Sequence, residues 1–156
     1  VPDWLVPAAG LVGALLVAIA NYAIQRWRYR LDRISASVDH FCEEINDVAD
    51  LSTQYWLLDA SQTANQEKAA LAEPQLVGRQ MRLQSLALAL AELDHKLVLT
   101  RTDILLLEFF DALTGGSFKV NARKPSPDHA QTVQALAAQI NGALREAVSH
   151  RSHIWF

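Results

Sequence analysis

The sequence holds a single cysteine, Cys42, so no internal disulfide can form, and a reduced compartment suits it. Glycine and proline are scarce, six and five in 156 residues, which leaves few places for the chain to turn sharply. Alternating apolar and polar positions are absent, which excludes half-buried strands. No glycine-rich phosphate loop occurs, because Gly115-Gly116 follows a helical stretch rather than opening one. No serine stands in a hydrolase-type motif, and no cofactor is expected. A net charge of −3 provides no general attraction to nucleic acid, and DNA is not an expected partner.

Charge is missing altogether from the 22 residues between Asp3 and Arg26. At helical pitch they rise about 33 Å, against a bilayer hydrocarbon core of about 30 Å. The first 25 residues therefore read as a transmembrane segment, and 26–156 as a cytosolic helical bundle whose first helix is continuous across the boundary. Ala18-Ile19-Ala20 has the form of a signal-peptidase site, but Asp3 stands where a signal peptide would carry a base, which favours an uncleaved anchor. Arg26, Arg28, Arg30 and Arg33 follow the run. By the positive-inside rule they place the N-terminus in the periplasm of a bacterial inner membrane and the C-terminal domain in the cytoplasm. Trp4 at one end, and Tyr22, Arg26, Trp27, Arg28 and Arg30 at the other, read as membrane-interface residues. The bases from Arg26 to Arg33 would meet anionic headgroups.

Trp4 to Trp56 reads as one helix. Gly10, Gly13, Val17, Ala20, Ile24, Trp27, Leu31, Ile34, Val38, Phe41, Ile45 and Val48 recur every three or four residues. Such a seven-residue repeat is a helix-packing seam, here assigned to homo-oligomerisation. Small residues dominate its first part, as in close helix pairs within a bilayer. The same seam could instead pack within the subunit against the Leu83–Leu97 face of a second helix.

Further along, polar residues 59–66 form a turn with Thr63 or Asn65 as a cap, and Pro74 interrupts or restarts a helix that continues over 75–98. Residues 103–113 read as a short helix apolar all round, hence buried, ended by Gly115-Gly116. Ser126-Pro127 opens the last helix, to about His150. The fold class is all-α, a four-helix-type bundle.

Three groups invite a functional reading. His40, Cys42, Glu43 and Glu44 suggest a metal cluster, but no second ligand group completes it, so no metal is assigned and a solvated acidic face is the expectation. Lys119, Arg123 and Lys124 make a basic loop which, with Trp155 and Phe156 at the C-terminus, offers contact to a protein partner. Arg145 and His150 form an R-x4-H pair: imidazole for proton transfer at a ribose 2′-hydroxyl, guanidinium for the phosphate. Arg33…His40 and Arg123…His129 satisfy similar spacings, so the pattern is permissive.

An N-terminal single-pass helix running into a small all-α bundle, with Arg145 and His150 late on the last helix, resembles the membrane accessory proteins of type VI-B CRISPR loci. The resemblance implies an HEPN-like bundle with a degenerate nuclease site that oligomerises as a pore in the inner membrane and enhances RNA-targeting defence. Glu146 departs from the pattern, since active nucleases of this type carry a non-acidic polar residue after the arginine. The expected function is thus a non-enzymatic membrane effector. A membrane-tethered partner-binding scaffold, and an HEPN-like ribonuclease using Arg145 and His150, are the alternatives.

Overall fold

The computed structural model describes residues 5–93, 102–120 and 123–153, with side chains described from Gly13 to His150 within them. Among the described residues there are four helices and no strand: α1 (Leu5–Leu57), α2 (Thr63–Leu93), α3 (Thr102–Thr114) and α4 (Pro127–His153). The all-α expectation holds, and α1 is continuous through the charge boundary at Arg26.

The core forms on one side of α1. Ile34, Val38, Phe41, Ile45, Val48, Ser52 and Tyr55 keep the three-and-four spacing and are all buried. They share one core with Leu76, Leu83 and Leu90 of α2 and Val133, Ile140 and Leu144 of α4, to which α3 adds Phe109 and Leu113. Polar contacts fix the register. Tyr55 Oη donates to Glu73 Oε1 at 3.2 Å, Arg79 lies 3.4 Å from Asp47, and Arg30 reaches the Leu93 carbonyl at 3.5 Å. Rising α2 numbers meet falling α1 numbers, so the pair is antiparallel. Gln134 on Asp50 (3.0 Å) and Asn141 on Asn46 (2.7 Å) set α4 antiparallel to α1 likewise.

This placement decides where the seam packs. From Ile34 to Val48 its residues are consumed by the subunit's own core and offer nothing to a neighbour. Trp27 and Leu31 are half-buried, whereas Gly13, Val17, Ala20 and Ile24 are exposed; Gly10 lies outside the described side chains. Beyond Arg30, α1 continues as an arm past the described end of α2.

Among the described residues no helix is long and apolar enough to cross a membrane. This overturns the expected inner-membrane placement with a periplasmic N-terminus and a cytoplasmic C-terminal domain. Tyr22, Arg26, Arg28 and Arg30 are exposed on the arm; Trp4 lies outside the described residues.

Two local expectations also change. Pro74 neither ends nor restarts a helix, because α2 passes straight through it. Proline removes the amide that would bond the Ala70 carbonyl, but both residues are exposed and water can take that bond. Ala69 and Leu76, buried on either side, hold the helix together across it. And α3 is not buried all round: Leu106, Phe109, Ala112 and Leu113 face inward, while Ile104 and Leu107 are exposed. Restoring the missing amide with Pro74→Ala should stabilise the fold by about 1–3 kcal/mol, since proline costs up to about 3 kcal/mol in a helix interior. Urea unfolding checks this; a loss of stability would mean that the proline geometry is required.

Candidate functional site

Three regions merit examination: the exposed arm, the junction where α1 ends, and the last turns of α4.

On the arm, Leu15, Leu16, Val17, Ile19, Tyr22, Ile24 and Tyr29 are each more than half exposed, from 51% at Ile24 to 72% at Tyr29. Side chains of this size gain about 1.5–3 kcal/mol each on full burial. An apolar surface made by seven of them exceeds what a monomer ordinarily leaves in water. A Cβ on Gly13 would meet nothing within 4 Å, so the glycine serves no packing need inside the subunit.

The junction is built on Tyr55 and Trp56, whose rings meet edge to face at 5.4 Å. Arg123 is only 5% exposed, with its guanidinium 3.8 Å from the Tyr55 ring centre and 4.9 Å from that of Trp56. It donates to the Tyr55 carbonyl near the C-terminus of α1, which also accepts from the Leu58 amide at 3.3 Å. Around it, the amide of Ala60 donates to the Arg123 carbonyl at 2.9 Å, and that of Ser126 to the Trp56 carbonyl at 2.8 Å. His129 stacks on Trp56 at 4.0 Å and bonds the Ala112 carbonyl through Nε2 at 2.9 Å. Arg123 is therefore a structural clasp, not the partner contact expected from the sequence. Lys119 and Lys124 remain exposed. Lys119 takes a left-handed φ of 62°, which turns its amide onto Tyr55 Oη at 3.0 Å. Trp155 and Phe156 lie outside the described residues.

Beside this clasp is a cleft of about 640 Å³ lined by Leu51, Gln54, Leu57, Leu58, Lys68 and Leu71. Sequence reading missed it, since its two walls come from separate helices; the surplus leucines after Val48 were the visible signal.

The acidic cluster divides. His40 and Glu43 are exposed, but Glu44 is 5% exposed, turned toward Arg79 (3.5 Å) and Arg82 (3.3 Å) of α2. Glu44 thus belongs to the α1–α2 interface and not to a solvated face. Among the described residues no group of three or more His, Cys, Asp or Glu is arranged to hold a metal ion. Burial pushes the Cys42 thiol above its usual range, opposed by the nearby Arg145 guanidinium.

Arg145 and His150 are both exposed, and five residues on a helix turn them about 140° apart. Arg145 lies toward Cys42, whereas His150 pairs with Glu146 at 3.6 Å. One chain does not bring the two side chains onto a common substrate. No family model, curated protein or solved structure matches this chain.

Removing the clasp with Arg123→Met should cost about 2–3 kcal/mol, from the lost cation–π contacts and the lost charge-assisted hydrogen bond. Denaturant titration would register it. Tyr55 adds a pH dependence. Burial raises its phenol above the ordinary value, against the Lys119 amide and Arg123. The neutral phenol is the form that the fold favours. Its contribution is complete below the unfolded value of about 10 and is lost as pH rises through the higher folded value. Stability should therefore fall on the alkaline side, and Tyr55→Phe should remove this group's share of that slope.

Proposed function

We propose that the protein is a non-catalytic assembly module that self-associates through α1. The observation that carries this reading is the apolar arm from Gly13 to Tyr29, which lies beyond the described packing helices and is exposed at every position but the half-buried Trp27. An isolated helix of this length is marginal in water, because helical stability in proteins comes chiefly from tertiary packing of an apolar face. A second copy provides the same apolar surface and the same length of helix. Burial of about 800 Å² per partner defines an ordinary stable interface.

A partner-binding module is the second reading. It is favoured by Met81 and Leu88 on α2 and Leu107 on α3, all at least 64% exposed. The Gln80–Thr114 contact sets α2 and α3 side by side. That face is smaller and more broken than the arm.

Light scattering at micromolar concentration should give a mass above that of the 17.3 kDa chain. Replacing Leu15, Ile19 and Ile24 together with Lys should return it to a monomer, with the bundle's unfolding midpoint unchanged within about 0.5 kcal/mol, as expected for exposed sites. A strict monomer before substitution would end the proposal.

A further inference from the structure

The buried seam of α1 has a counterpart on the opposite side of the helix. From Leu15, steps of four and three residues lead through Ile19, Tyr22, Arg26, Tyr29, Arg33, Ala36, His40, Glu43, Asp47, Asp50 and Gln54 to Leu57, and every one of these positions is exposed. The strict alternation keeps them on one face over about 63 Å of helix.

The order of chemistry along this stripe is informative. Apolar residues come first, then bases at Arg26 and Arg33, then acids at Glu43, Asp47 and Asp50, then an apolar end at Leu57 beside the cleft. Ala36 is the middle position. Turned end for end about Ala36, the stripe complements itself. Leu15 meets Leu57, Ile19 meets Gln54, Tyr22 meets Asp50, and Arg26 meets Asp47. Arg33 falls opposite His40, with Asp39 and Glu43 on either side. The leading leucine and isoleucine arrive at the cleft bounded by Leu51, Leu58 and Leu71. A parallel pairing would instead set Arg26 and Arg33 against their own copies and acids against acids.

We propose that two copies pair through this stripe as an antiparallel, two-fold symmetric rod contact centred on Ala36. The inference rests on the self-association reading above and specifies its surface and direction. A two-fold interface uses one patch twice and must be complementary to itself, which this ordering satisfies. Opposite charges facing across it fix the register, and like charges disfavour the alternative. Ala36, small and exposed, permits close approach at the axis. The acids keep capacity for a second partner: the Asp47 side chain is 58% exposed although Arg79 stands 3.4 Å away, and Asp50 accepts one bond from Gln134. Arg30 is turned aside to the Leu93 carbonyl, and Asp32 flanks the bases without joining the stripe.

The test is disulfide or bismaleimide cross-linking of the full chain, in which the native Cys42 is buried and does not compete. Mixing a Leu15→Cys variant with a Leu57→Cys variant should yield a covalent dimer, whereas each variant alone should yield at least tenfold less. Arg26→Glu should weaken association at least tenfold at low salt, with the gap closing as salt is raised. Strong self-linking of Leu15→Cys with no mixed product would overturn the antiparallel stripe while leaving self-association standing. A monomer by light scattering, with no cross-link in any combination, would overturn both.

Discussion

Everything in this molecule depends on the burial of one face of α1. The residues from Ile34 to Trp56 form the wall against which α2 and α4 pack, and α3 reaches the core through α4 and α2. Both long neighbours run antiparallel to α1, with α2 fixed near Tyr55 and near Arg30 and α4 fixed near Asp50 and Asn46. The bundle is thus a sleeve on a rod. Its length is set by its neighbours, while the rod's own length is not so limited.

The far end of the sleeve is closed by chemistry of another kind. Arg123 arrives 68 residues after Tyr55 and donates to its carbonyl near the C-terminus of α1. Among the described residues no carboxylate pairs with this buried guanidinium, which is costly unless other electron-rich groups face it. Two aromatic rings and a helix-end carbonyl face it, although its Nε has no hydrogen-bond partner among the described residues, and the same rings pack against Phe118 and His129. A turn, a loop and two helices are thereby tied to one point on α1.

How much of this was legible beforehand follows from what each signal measures. Periodicity reports which residues share a face, so the core positions of α1, α2 and α4 could be read off directly. It does not report what a face packs against, and the seam that suggested an interface between copies is the subunit's own core from Ile34 onward. Composition reports average solvent preference, which misplaced Arg123 and Glu44; both are buried by partners distant in sequence. It also misjudged α3, whose apolar residues outnumber the neighbours available to cover them. Pro74 was read as a break from its local cost alone, although packing on both sides outweighs the one amide it lacks. The apolar run near the start was read as a membrane span on length and charge; among the described residues no helix meets that requirement. The candidate surface was half visible: its arginines and acids were noted, but their common stripe emerges only once the opposite face is known to be filled.

The arm couples secondary structure to concentration. Without a second copy, the exposed residues 13–26 keep their helix chiefly through propensity and through continuity with the sleeve below, and helices held in this way open locally. Once an apolar partner is present, the same residues gain burial that offsets the entropy of ordering. Under the proposed pairing, helix content is a property of the solution as much as of the chain. The distal turns of α1 would be most exposed to proteases and to mispairing while the protein is dilute, and most protected when it is abundant.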